Sequence, residues 1–180
     1  MKLGAHVSTA GGLLTSIDRG LALGCETIQI FASSPQGWRF NAPPDTIADA
    51  FRRKATEVEL ESVFLHAIYL INLGTADQNH LNRGIDSLVD HMTVAEKIGA
   101  RGVIFHPGSH KGLGYAAILN QTVQSIEEVL LRSPAGPHLI IENTAGMGRH
   151  IGSTFEELGR IMKAVDPRYT SRLRICLDTQ

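Results

Sequence analysis

Four apolar runs in this chain each end in a side chain able to bind a metal ion. They are Val63-Phe64-Leu65-His66, Val103-Ile104-Phe105-His106, Leu139-Ile140-Ile141-Glu142 and Ile175-Cys176-Leu177-Asp178. A short continuous apolar run reads as a strand covered on both faces, the state of a strand in a parallel sheet. A polar or charged residue closing such a strand is costly unless something pairs with it. Two further short strands precede them, Leu3-Gly4-Ala5-His6-Val7 and Thr27-Ile28-Gln29-Ile30-Phe31. Between the strands lie helical stripes, the longest over Leu81, Ile85, Leu88, Val89, Met92, Ala95 and Ile98, with Gly99 as its stop. Ser8 or Thr9 is expected to cap the first helix, and Ser153 or Thr154 the fifth.

Strand and helix thus alternate about six times, which predicts an α/β fold with a parallel sheet and helices outside it. A doubly wound sheet and a TIM-type (β/α)8 barrel both satisfy the alternation. The barrel is preferred because polar residues keep arriving at the C-terminal strand ends, and only a barrel brings all those ends to one mouth. A full barrel typically needs about 250 residues. The 180 residues here are expected to form a single domain, an incomplete barrel that ends after strand six.

Composition excludes several classes. Hydrophobic content of 43% is ordinary for a globular chain, no apolar run approaches a membrane span, and the N-terminus has no signal-peptide pattern. A cytoplasmic protein is expected, with Cys25 and Cys176 as buried thiols rather than a disulfide. The net charge of −1 leaves no global footprint for nucleic acid, although bound metal ions or local bases can still meet phosphates.

His66, His106, Glu142 and Asp178 offer imidazole nitrogen and carboxylate oxygen, a donor set suited to zinc and also to manganese or iron. One histidine at a strand end is usually a hydrogen-bonded structural residue. Four ligand-type residues at equivalent places on successive strands favour a metal site. Glu142 has two oxygens and could bridge two metals, an arrangement suited to clamping a phosphate. His6 reads equally well as packing or as support for a ligand. His80, His91, His138 and His150 lack the pattern and are read as surface or helix residues.

Five collinear blocks carry a family resemblance: Gly4-Ala5-His6-Val7-Ser8, His66 with Tyr69-Leu70-Ile71-Asn72-Leu73, Phe105-His106-Pro107-Gly108-Ser109-His110, Ile141-Glu142-Asn143-Thr144-Ala145-Gly146, and Cys176-Leu177-Asp178-Thr179. Together they resemble the endonuclease IV family of apurinic/apyrimidinic endonucleases. The resemblance implies a TIM barrel holding three zinc ions that cuts duplex DNA on the 5′ side of abasic sites. It implies that His66, His106 and Glu142 hold one zinc, that Glu142 bridges to a second, and that Asp178 helps hold that second ion. Tyr69 and Asn72, with Gln36 and Trp38, are implied to lie in DNA-contacting loops. It also implies a monomer when intact.

The chain departs from the family pattern in two places. Gln36 stands where the family often has an arginine, and the histidine and carboxylate ligands of the later strands do not follow Gln180. One complete zinc site and half of a second are therefore expected, with little or no activity from these 180 residues alone. A metal-dependent sugar isomerase or epimerase on a related barrel, and a non-catalytic DNA-binding or structural remnant, are the alternatives.

Overall fold

A computed structural model of the chain describes residues 1–145 and 148–179. Gly146, which closes the motif after the fifth strand, lies outside the described residues, as does Gln180. The strands are β1 (Gly4–His6), β2 (Thr27–Phe31), β3 (Ser62–His66), β4 (Gly102–Phe105), β5 (His138–Glu142) and β6 (Leu173–Cys176). Between them run α1 (Thr15–Ala22), α2 (Asp45–Glu57), α3 (Gln78–Ile98), α4 (Tyr115–Arg132) and α5 (Phe155–Ala164). All neighbouring strands pair in parallel, in the order β1-β2-β3-β4-β5-β6. A doubly wound sheet reverses its strand order at a switch point. Here every crossover advances in the same direction, which is the winding of a barrel, with β1 and β6 as the two edges of the sheet.

Side chains alternate across each strand. Ile28, Ile30, Val63, Leu65, Val103, Phe105, Leu139 and Ile141 are all buried and join the main core cluster. The helices meet that face, α3 most extensively, through Leu81, Ile85, Leu88, Met92, Ala95 and Ile98. Each of these leucine, isoleucine and methionine side chains contributes roughly 1.5–3 kcal/mol on burial. The opposite face is far more polar, and its register carries Phe31 beside His66, Ile104 beside Ile140, and Glu142 beside Cys176. Apolar side chains are exposed along the edges, as expected for a sheet that does not close: Leu3 before β1, and Ile175 and Leu177 at β6.

One helix start and one helix end follow the sequence reading, and one start departs from it. Thr154 Oγ1 accepts the Glu157 amide, while Glu157 Oε2 accepts the amides of Gly152 and Ser153, a capping box for α5. Asp77 caps α3 by accepting from Asn79 and His80, and Gly99 ends it at φ 72°, where glycine carries no steric penalty. Neither Ser8 nor Thr9 caps α1. The chain first turns through Gly11 and Gly12, both at positive φ, and the helix begins only at Thr15. Both cysteines are free and half-buried.

His91, read as a surface or helix residue, is a helix residue but not a surface one. It lies on α3 but is fully buried, its Nδ1–H donating to the Ser87 carbonyl at 2.7 Å and its ring 4.9 Å from Phe40. Burial lowers its pKa from the ordinary 6.5 to about 4. The unfolded chain therefore takes up this proton first as pH falls. The stability this neutral histidine contributes is complete above pH 6.5 and is lost as pH drops toward 4, a change of about 3 kcal/mol. Urea midpoints of the wild type and His91→Leu between pH 7 and pH 4 measure it. The variant should lack this part of the acid sensitivity, and parallel curves for the two proteins would refute the assignment.

Candidate metal centre

His66 is the last residue of β3, Glu142 the last of β5, and His106 follows β4 immediately. Parallel pairing brings them to the C-terminal rim of the sheet in a staggered register: His66 pairs with Ile104, two residues before His106, and Phe105 pairs with Ile141, one before Glu142. His66 Nε2 lies 3.1 Å and His106 Nε2 3.4 Å from the same oxygen, Glu142 Oε2. The three ligand atoms all lie within 4.8 Å of one another.

Hydrogen positions allow, and the ligand spacing favours, a cation at the centre of this group. His66 Nδ1 is 2.7 Å from the Ala67 carbonyl, which can only accept, so Nδ1 carries a proton. With Nδ1 protonated, the contact of Nε2 with a carboxylate oxygen calls for either a second ring proton or a cation between the two atoms. Zinc held tetrahedrally by bonds of about 2.0–2.1 Å keeps its ligand atoms about 3.3 Å apart. The two nitrogen-to-oxygen separations match that spacing, and two imidazoles with one carboxylate is a catalytic-zinc ligand set. Burial, reinforced by His66 and His150, lowers the pKa of His106 against the pull of Glu142 and Asp178, which keeps its ring neutral and able to ligate.

Aromatic rings fix the orientation of His66. Phe31 and Tyr69 meet it edge-on at 5.3 and 5.5 Å, and the His106 and His6 rings lie 5.3 and 6.1 Å away. His6 accompanies the site from β1, two strands away from His66, and pairs through Nδ1 with Gln29 Nε2 on β2 at 2.9 Å. Cys176 Sγ is 3.9 Å from Glu142 Oε1. Burial, with the Glu142 and Asp178 charges, pushes its pKa up to about 11, so at neutral pH it is a thiol and not a thiolate ligand.

Asp178 does not join the group of three. β6 stops at Cys176, and Asp178 sits beyond it on the wall of an adjoining cavity of about 730 Å³. Asn143 holds it there: its Oδ1 accepts the Asp178 amide at 2.6 Å, and its Nδ2 donates to the Asp178 carbonyl at 2.8 Å. Sequence pattern gives Asn143 no role of its own, although it adjoins Glu142. The same cavity is lined by Tyr69, Asn72, His80, His106, Lys111 and His150. His80 and His150 thus stand nearer the site than a reading as surface or helix residues implies. His80 does lie on α3, whereas His150 bridges to Ser109 across two loops. His138, read in the same way, is the first residue of β5.

The four residues expected in DNA-contacting loops differ in placement. Gln36 and Tyr69 are exposed on adjacent loops after β2 and β3. Trp38 is half-buried against α3, with Arg83 over its ring. Asn72 is buried, and its Oδ1 accepts two backbone amides, Gly74 at 3.0 Å and Ser109 at 2.9 Å, which pins the loop after β3 to the loop after β4. Asn72→Ala leaves both amides without that acceptor and is expected to lower stability by about 2–4 kcal/mol. Asn72→Asp keeps an acceptor and should lose less. Urea unfolding of the two variants checks this, and equal losses would sink the acceptor argument.

A family model described as a xylose isomerase-like TIM barrel matches residues 17–180. A probable endonuclease 4 of Halothermothrix orenii is 36% identical over 179 residues, covering 99% of this chain and 64% of that protein. A probable endonuclease 4 of Trichlorobacter lovleyi is 36% identical over 178 residues, covering 98% and 63%. Among solved structures, endonuclease IV from Thermus thermophilus superposes with a TM-score of 0.86 at 31% identity, over 99% of this chain and 63% of that one. A D-tagatose 3-epimerase-like protein gives 0.75 at 18% identity, over 98% and 65%, a likeness of fold alone. The chain thus spans just under two thirds of the length of each of these relatives.

Proposed function

This chain belongs to the xylose isomerase-like TIM barrel family, and from that membership we propose that it is the N-terminal portion of a zinc-dependent endonuclease of the endonuclease IV type. Its substrate is duplex DNA carrying abasic sites, and its reaction is hydrolysis of the phosphodiester on their 5′ side. The observation that carries this reading is the convergence of His66 Nε2, His106 Nε2 and Glu142 Oε2, at a zinc ligand spacing, in a chain 36% identical to probable endonucleases 4.

His66, His106 and Glu142 would hold the first zinc. A bound zinc supplies a Lewis acid for phosphate oxygens and lowers the pKa of a coordinated water to about 7. Glu142 commits Oε2 to the two histidines and turns Oε1 toward β6, on the side of Asp178. Glu142 and Asp178 would supply half of a second site, with Asn143 setting the position of the Asp178 backbone. Tyr69, exposed above the ligand rings and 6.4 Å from the His106 ring, forms the side of the site that meets DNA. Gln36 stands on the neighbouring loop. Where family members place an arginine, its amide hydrogen-bonds but brings no charge. No helix among the described residues is long and apolar enough to cross a membrane. This reading goes with a cytoplasmic protein that is a monomer when intact.

Zinc content of the purified chain, measured beside cleavage of a duplex bearing one abasic site, tests the reading. About one tightly held zinc per chain with little or no cleavage is expected, because three ligands are assembled and the second site is half provided. Conversion of a ketose with the DNA left intact would replace this reading by a sugar epimerase, and a chain that binds no zinc would remove its basis.

A further inference from the structure

The loop after β2 is attached to α3 through its aromatic residues. Trp38 lies with its ring under the Arg83 guanidinium, 4.7 Å from the ring centroid, and edge-on to His80 at 5.3 Å. Two residues on, Phe40 packs against the buried His91 at 4.9 Å. His80, Arg83 and His91 recur at helical spacing, so a single side of α3 receives both rings. His80 also holds the other loop, since its Nε2–H donates to the Leu70 carbonyl at 2.8 Å. The two loops meet directly as well: the Tyr69 amide donates to the Pro35 carbonyl at 2.9 Å. Pro35 adjoins Gln36, and Leu70 adjoins Tyr69.

From this chain of contacts we infer that His80 and Arg83 are positioning residues. Acting through Trp38, they lock the loops after β2 and β3 into one rim that presents Gln36 and Tyr69 side by side to duplex DNA. Trp38 is then a strut and not a base-stacking residue. A cation over an indole face is the strongest pairing of its kind, and fixing the rim before binding removes an ordering cost from the encounter with DNA. The part of this inference that concerns DNA rests on the endonuclease reading above.

Trp38 is the only tryptophan in the chain, so its fluorescence reports the clamp without ambiguity. Arg83→Met keeps much of the side-chain bulk and removes the charge. It is expected to raise acrylamide quenching of Trp38 about twofold and to weaken binding of a zinc-loaded chain to an abasic duplex about tenfold, with zinc affinity unchanged. Arg83→Lys, whose ammonium can also sit over the ring, should restore most of both. Trp38→Ala should match Arg83→Met in DNA affinity, and the double variant should lose no more than either single one.

The salt dependence separates positioning from a direct phosphate contact. A lost phosphate contact lowers the slope of log affinity against log salt by about 0.9, whereas a lost strut leaves it unchanged. A reduced slope, additive losses, or unchanged Trp38 quenching in Arg83→Met would each overturn the inference. If the wild type binds no abasic duplex, the endonuclease reading and the DNA half of the inference fail together. The quenching result then still decides whether the clamp exists.

Discussion

Glu142→Ala is expected to lower the chain's zinc affinity about 1,000-fold, measured by competition with a chromophoric chelator. A full structural zinc site yields roughly 10–16 kcal/mol of binding free energy. Three protein ligands share the site here, so losing one forfeits about 4 kcal/mol, or three decades of affinity. Glu142 is also the only anion of the three, and Oε2 is the point on which both histidines converge. Without it two neutral imidazoles remain, a pair that loses the charge neutralisation the carboxylate gives a dication. His66→Ala should fall in the same range. Asp178→Ala should cost tenfold or less at this first site, because Asp178 stands outside the group of three and acts on it through the field it adds at His106. Should Asp178→Ala match Glu142→Ala, Asp178 would belong to the first site, and its assignment to a second would be wrong.

The strand ends were legible because the rule behind them is local. Val63, Leu65, Val103, Phe105, Leu139 and Ile141 face the helices and read as apolar, and the residue that closes each run faces the mouth. Parallel pairing then gathers His66, His106 and Glu142 at one rim, with His66 two residues below His106 in the register. Asp178 followed the pattern less well, since β6 ends two residues before it and a side chain from another strand end, Asn143, sets its place.

What stayed hidden depends on partners far along the chain. His91 lies within an ordinary helical stripe, and its full burial, with Phe40 from the loop after β2 packed on its ring, is what depresses its pKa. His80 looks like a polar residue in a first helical turn until Trp38 and the Leu70 carbonyl are placed beside it. Resemblance alone assigns Asn72 to DNA contact. Its carbonyl oxygen instead joins two loops whose amides come together only after β3 and β4 have paired. Side-chain-to-backbone bridges of this kind have no period and no motif, so a sequence does not announce them.

Gly108→Ala is the single-methyl change expected to do most damage. Gly108 has φ 95°, a conformation that side chains with a Cβ rarely adopt, and an added Cβ would lie 2.6 Å from the Asn72 Cα and would overlap its Oδ1. Rotating the Asn72 side chain cannot relieve a clash with its own Cα, so one of the two loops has to move. Movement breaks the Ser109 amide bond to Asn72 Oδ1 and strains the flanking bonds, Leu73 amide to Pro107 carbonyl and Ile151 amide to Gly108 carbonyl. Backbone strain of about 1–2 kcal/mol and the loss of one or two such bonds at about 1–1.5 kcal/mol each give a destabilisation of about 4 kcal/mol. For a domain of this size that lowers Tm by about 8–16 °C. The same loop begins at His106, so zinc affinity should fall about 10–100-fold as the ligand loses its support. Gly112→Ala is the control, because Gly112 has φ 100° but open space around its Cβ position. It carries the backbone strain without the clash and should lose about 1–2 kcal/mol, with zinc affinity intact. Equal losses from the two substitutions would show that conformational strain alone sets the effect, and that contact between Gly108 and Asn72 does not hold the two loops together.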